Sequence, residues 1–320
     1  YIKNNTAHTG VHFYPIGAIS QECAGKDLAE LYDMHTAGAV AFSDGKKAVQ
    51  DAGLLLRAMQ YVRAFNGLVI NEPHHKTIAG AGQMHEGAIS TKLGLRGWPR
   101  VAEDIIVARD VLLAEATGAK YHVAHLSTAG AVRIVREAKS RGIRVTAEVT
   151  PHHLMLTHEA VLGYDTACKV NPPLREASDV EALRDALADG TIDAIATDHA
   201  PHSSLEKDCE FAEAKPGLIG LELVVPVLLG LVQSGRVPLA RFAHALSSAP
   251  ASLVGLDPPS LAEGALAAFT LIDPARAFVV RDLASKSKNT PYWGKELGGT
   301  VVATLAAGRL VHDRIGAPAV

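Results

Sequence analysis

Short apolar runs rich in Val, Ile and Ala alternate along the chain with longer segments of helical periodicity. Val11–Ile19, Ala39–Ser43, Leu68–Asn71, Lys120–His125, Arg144–Val149 and Ile192–Thr197 read as six strands. Between them, the spacings Ala102-Ile105-Ile106-Ala108-Val111-Leu112 and Ala131-Ile134-Val135-Ala138 each put apolar side chains on one helical face. Further helices are expected over Asp27–Met34, about Ala48–Phe65 and near Leu218–Val232. Strands alternating with helices predict right-handed βαβ units and a parallel sheet with the helices outside it. The texture changes towards the end. Ala267–Asp273 and Thr300–Leu305 read as strands without full intervening helices, so a small β element is expected to close the chain from about residue 266.

With 320 residues, the chain has room for two domains or for one α/β barrel, which takes about 250 residues. Lys and Arg total 31 against 34 Asp and Glu, and no basic run exceeds a pair such as Lys46-Lys47. That lacks the footprint of a nucleic-acid binder and favours a small-molecule partner. The longest apolar stretch, Gly217–Val232, is broken by Glu222 and Pro226 and is too short to span a bilayer. Cys23, Cys168 and Cys209 form neither a disulfide framework nor a thiolate zinc set and read as small apolar fillers. A cytoplasmic protein is the expectation. The opening Tyr1-Ile2-Lys3 has neither an initiator Met nor an apolar leader, which suggests a segment upstream.

In parallel α/β folds, chemistry is assembled where the βα loops converge, at the carboxyl ends of the strands. Those ends carry Asp44, Glu72, His125, the run Thr150-Pro151-His152-His153, and Asp198 within Asp198-His199-Ala200-Pro201-His202. Imidazoles and carboxylates from separate strands suit a divalent metal, zinc above all. Each residue also has an ordinary reading. Asp44 before Gly45 suits a turn or helix cap, Glu72 a solvated loop, His125 a hydrogen-bonded core position and Asp198 a cap. His74-His75 read as exposed loop residues, and His152-His153 as supporting groups.

The segments Tyr121–Thr128 (YHVAHLST), Thr146–Leu154 (TAEVTPHHL), Lys169–Arg175 (KVNPPLR) and Ala194–His202 (AIATDHAPH) resemble signature segments of class I dihydroorotase. This is the cyclic amidohydrolase branch of the amidohydrolase superfamily. The likeness continues through Gly220-Leu221-Glu222 and Asn289-Thr290-Pro291 and so covers nearly the whole chain. It implies a (β/α)8 TIM-type barrel over residues 1–265, with strands 3 to 8 recognisable, and a small β-sandwich portion over 266–320. The implied activity is reversible closure of N-carbamoyl-L-aspartate to dihydroorotate in pyrimidine synthesis.

By the same resemblance, His125 and Asp198 are metal ligands, with Glu72 and Asp44 as further candidates. Asp198 is the general base and acid acting on the hydrolytic water, while Asn171 and His202 contact substrate. One or two zinc ions and a homo-oligomer are implied. The sequence departs from the family pattern at Gly45, where an aspartate bridges two metals, and at Glu72, where a histidine is usual. The family's H-x-H strand has no counterpart in the sequence. These departures keep open a non-catalytic homologue serving as structural partner of aspartate transcarbamoylase. Hydantoinase or allantoinase is a further alternative, less close in the Asn171–Arg175 and strand-8 segments.

Overall fold

The computed structural model describes Lys3 and residues 11–315. Six parallel strands form one curled sheet: β1 (Ile16–Gly17), β2 (Ala41–Phe42), β3 (Leu68–Asn71), β6 (Lys120–Val123), β7 (Val145–Val149) and β8 (Ala194–Ile195), neighbours in that order. A two-stranded parallel excursion, β4 (Met84–His85) with β5 (Gly97–Trp98), lies between β3 and β6 in sequence. The strands are shorter than their apolar runs. Of Val11–Ile19 only two residues pair, because β1 has a single neighbour in the described sheet. Parallel sheets covered by helices are buried on both faces, which is why these strands read as continuous apolar runs.

The helices that cover the sheet are α1 (Leu31–Thr36), α2 (Ala52–Arg63), α3 (Val101–Thr117), α4 (Ala129–Ser140), α5 (Ala177–Asp189), α6 (Val224–Gln233) and α7 (Leu239–Leu246). Their starts follow from local chemistry. The Asp51 carboxylate caps α2 by accepting from Leu54 N at 2.6 Å, and the Thr128 hydroxyl caps α4 by accepting from Ala131 N at 3.0 Å. Gly118, in left-handed backbone at φ 65°, ends α3. The buried faces are Leu54, Leu55, Ala58, Met59 and Val62 on α2, and Ala131, Val132, Val135 and Ala138 on α4. With Phe42, Val69, Tyr121, Val123, Ala147 and Val149 they make one continuous core.

Beyond residue 266 the chain forms an antiparallel sheet, β9 (Phe269–Val279), β10 (Glu296–Ala306) and β11 (Arg309–Asp313), in the order β11-β10-β9. Two strands were expected there. The third, β11, is mostly exposed, and its Arg-Leu-Val-His-Asp sequence is too short a pattern to stand out. Helix α6 packs on β10 and joins this sheet to the barrel. Cys168 is a buried filler, as expected, whereas Cys23 is half-buried and Cys209 exposed. His74 and His75 are both half-buried rather than exposed, and His74 meets the Trp98 ring edge-on at 5.6 Å. Among the described residues no helix is long and apolar enough to cross a membrane.

Candidate active site at the barrel mouth

The carboxyl ends of β1, β2, β3, β6 and β7 open on a cleft of about 550 Å³ lined by Asp44, Lys46, Glu72, His125 and Glu148, among others. Two residues, His125 in its lining and Asp198 beside it, are held by unusual backbone. His125, just past β6, has φ 52°, and Asp198, past β8, has φ 42°. Both lie in the left-handed region that a side chain disfavours. The turn brings His125 Nε2 to 3.8 Å from Asp198 Oδ1.

Glu148 on β7 organises the imidazoles. Its Oε1 lies 2.9 Å from His125 Nδ1, in ion-pair contact rather than an aligned hydrogen bond, and its Oε2 lies 3.2 Å from His122 Nε2. His122 Nδ1 is fixed in turn by the Thr146 hydroxyl at 2.8 Å. Burial opposes charge on both partners, but the pairing outweighs it. His125 is driven up to about 9 by Glu148, Asp198 and Glu72 against its desolvation, and Glu148 is held well below the usual carboxylate range by the two histidines.

Glu72 is different. Burial pushes its carboxyl up to about 7, with attraction to His125 and Lys46 opposing and repulsion from Asp198 and Glu148 adding. Lys46 Nζ lies 3.7 Å from Asp198 Oδ1 on a half-exposed side chain. His152 is almost wholly buried, and neither of its ring nitrogens has a hydrogen-bond partner.

The other expected residues are placed elsewhere. The Asp44 carboxylate is turned to the loop: Oδ1 accepts from Ile19 N and Ser20 N at 2.9 Å each, and Oδ2 from the Ser20 hydroxyl at 2.5 Å. It caps the loop after β1. Asn171 precedes Pro172 across a cis peptide, and His153 bridges the Thr150 hydroxyl (2.7 Å) and the Pro172 carbonyl (2.9 Å). His202 lines a separate cavity of about 510 Å³ with Lys207 and Asn289, and its Nε2 donates to the Pro216 carbonyl at 3.0 Å. The Asn289 amide donates to the carbonyls of Ala200 and Gly217, which ties the segment after β8 to the chain's last third.

Sequence reasoning overlooked Glu148, whose alternating strand position gave no sign of the two histidines it orders. It also passed over Glu103 and Arg175, both about 1% exposed. Glu103 accepts from Ser127 N (2.8 Å), the Ser127 hydroxyl and Thr128 N (3.1 Å), and Arg175 Nη2 lies 3.6 Å from it. Arg175 also donates to the Ser127 hydroxyl (3.0 Å) and the Trp98 carbonyl (2.9 Å). A carboxylate on the apolar face of α3, beside Ile106 and Val107, was the available signal.

A parallel α/β barrel whose strand ends converge imidazoles and carboxylates on one cleft defines a hydrolase of the amidohydrolase class. A family model described as dihydro-orotase-like matches residues 2–131. Two relatives named dihydroorotase, from Pelobacter propionicus and Pelotomaculum thermopropionicum, are each 50% identical to the chain, over 94% and 98% of it and 72% and 75% of their own length. An L-hydantoinase (dihydropyrimidinase) structure from Arthrobacter aurescens superposes with a TM-score of 0.84 at 25% identity, covering 97% of this chain and 73% of that one. The chain belongs to the dihydroorotase family of the amidohydrolase superfamily.

That family is metal-dependent, and the mouth has donors of the right kind. His125 Nε2 and Asp198 Oδ1 are close enough to share an ion, and Glu72 is a buried carboxylate whose charge the local cations leave undercompensated. As placed, His125, Asp198 and Glu72 do not bring one donor each within 4.8 Å of one another, so a cation held by all three requires the Glu72 side chain to turn inward. For a second cation, Gly45 offers no side chain and Asp44 already accepts three hydrogen bonds from Ile19 N, Ser20 N and the Ser20 hydroxyl.

Proposed function

We propose that this chain catalyses the dihydroorotase reaction, the reversible interconversion of N-carbamoyl-L-aspartate and dihydroorotate in pyrimidine synthesis, with a single zinc ion held by His125, Asp198 and Glu72. The approach of His125 Nε2 to Asp198 Oδ1 at the mouth carries this reading. When bound, the ion supplies Lewis-acid polarisation of the scissile carbonyl.

The chain's own residues supply the rest. In the hydrolytic direction the Asp198 carboxylate accepts a proton from the attacking water as the carbon–oxygen bond forms. It returns that proton to the ring nitrogen as the carbon–nitrogen bond breaks. Glu148 holds the His125 ring through Nδ1, leaving Nε2 directed towards Asp198. Lys46, on its flexible half-exposed stem, balances the Asp198 charge in the resting site and must withdraw when a cation enters. Asn171 and His202 are proposed to contact substrate from the loops above the mouth, which requires His202 to leave the Pro216 carbonyl.

The test is dihydroorotate turnover by the purified protein with zinc, after chelation, and in Asp198→Asn. Turnover that needs the ion and vanishes in Asp198→Asn while the fold survives supports the mechanism. Unchanged turnover in Asp198→Asn overturns it.

The Lys46–Asp198 ion pair favours a second reading. An ammonium already sits beside the proposed ligand, as expected if the chain is a non-catalytic partner of aspartate transcarbamoylase. A folded, zinc-supplemented protein without turnover that binds aspartate transcarbamoylase would establish that reading instead.

A further inference from the structure

A second group of metal-type ligands lies outside the cleft. A ring nitrogen of His85, a ring nitrogen of His158 and a carboxylate oxygen of Glu176 all lie within 4.8 Å of one another. They come from three separate segments: His85 ends β4, His158 begins a 3-10 helix (His158–Val161), and Glu176 immediately precedes α5.

The geometry points to a divalent metal site, of the zinc class, formed by His85, His158 and Glu176. Two observations carry this. First, His85 Nε2 and His158 Nδ1 are each buried without a hydrogen-bond partner, on side chains only 1% and 8% exposed overall. Buried polar atoms are almost always satisfied, so two orphaned imidazole nitrogens in one cluster call for a ligand.

Second, the third donor is poised and half free. Glu176 Oε2 is taken by Arg100 at 2.6 Å, whereas Oε1 faces His85 Nε2 at 3.6 Å. Two imidazoles and one carboxylate are a borderline donor set, which selects zinc-like ions over calcium or magnesium. The 3.6 Å between His85 Nε2 and Glu176 Oε1 is already near the separation of two ligands on one ion, and all three donors lie within 4.8 Å of one another, so side-chain rotation completes the set.

The surrounding charge permits a cation. Arg100 is paired with Glu176 and Asp179, and Arg175 faces Glu103 while its Nη1 lies 3.4 Å from His85 Nδ1, so two guanidinium groups stand against three carboxyl groups. The scaffold holds without the ion, since His158 N donates to the Arg175 carbonyl at 2.8 Å. Ion and solvent reach the site past Glu176, whose side chain is 41% exposed. Gly87 leaves the space clear: a Cβ there would lie 3.4 Å from Glu176 Oε1 and 3.7 Å from His85 Nε2. A bound ion would clip together three segments distant in sequence and steady the Lys169–Arg175 strap that carries Asn171. The site is independent of the reading given to the mouth.

The test is a cobalt titration of chelator-stripped protein, followed by visible absorption and compared across wild type, Asp198→Asn, His85→Asn and His158→Gln. Asp198→Asn is expected to keep the cobalt held at this cluster, and His85→Asn and His158→Gln each to lose one equivalent relative to wild type. Both histidine variants titrating as wild type would overturn the proposal. So would a wild type whose cobalt is all lost in Asp198→Asn. If either histidine variant fails to fold, Glu176→Gln on the solvent side replaces it: one equivalent lost or markedly weakened supports the site, and an unchanged titration refutes it.

Discussion

Replacing Glu72 by Gln isolates the cost of the buried carboxylate at the mouth. Its carboxyl is raised from 4.5 to about 7, with burial as the leading cause. In the metal-free protein the folded state therefore retains, between those values, a proton that the unfolded chain has released, and stability falls as pH rises through that window. The difference corresponds to about 3 kcal/mol, fully lost above pH 7. Gln has nearly the same shape and no charge to bury. The attraction of the carboxylate for His125 and Lys46 is already contained in that net shift. The assay is urea unfolding of chelated wild type and Glu72→Gln from pH 4 to pH 8, with midpoints converted through a common slope. The two proteins should match at the acid end, and the variant should become the more stable by up to about 3 kcal/mol at the alkaline end. Parallel pH profiles, or a variant that is the weaker at pH 8, would refute the reasoning.

Three further outcomes follow from the same geometry. Glu103→Ala leaves the buried Arg175 guanidinium and the Ser127 and Thr128 amides without their acceptor, and should lower stability by about 3 kcal/mol or more in urea unfolding. Lys46→Met removes the ammonium 3.7 Å from Asp198; as that pair is half-exposed, zinc affinity at the mouth should rise by no more than about tenfold, read by calorimetry. Asp44→Ala strips the acceptor from Ile19 N and Ser20 N and should cost about 2 kcal/mol in unfolding, while Asp44→Asn leaves zinc affinity at the mouth unchanged because the carboxylate is already consumed by the loop.

The barrel was legible because burial on both faces leaves a plain trace: each of the six apolar runs contains a strand, and the strands pair in chain order. The excursion β4–β5 left none, since Met84-His85 and Gly97-Trp98, unlike the two-residue strands β1, β2 and β8, are not embedded in an apolar run. At the mouth, position along a strand identified His125 and Asp198, but not how neighbouring groups are used. Asp44 before Gly45 looked equally like a ligand and a cap, and only the approach of Ile19 and Ser20, 25 and 24 residues away, distinguishes them. The same holds for His85, His158 and Glu176, whose relation exists only in three dimensions. His202 shows the reverse: a motif position matched in sequence, with its ring turned to a carbonyl outside the cleft.

The left-handed backbone at His125 and Asp198 has a consequence for how this protein can change. Left-handed backbone costs most side chains about 1–2 kcal/mol, less for histidine and aspartate, and glycine escapes the cost altogether. Selection for heat resistance alone would therefore favour glycine at positions 125 and 198, and the hardier molecules it yielded would have lost the imidazole and carboxylate that face each other across the mouth. On the proposed assignment of His125 and Asp198, thermal robustness and chemistry compete at the same two backbone positions, and stabilising substitutions that leave the reaction intact are to be sought away from the strand ends.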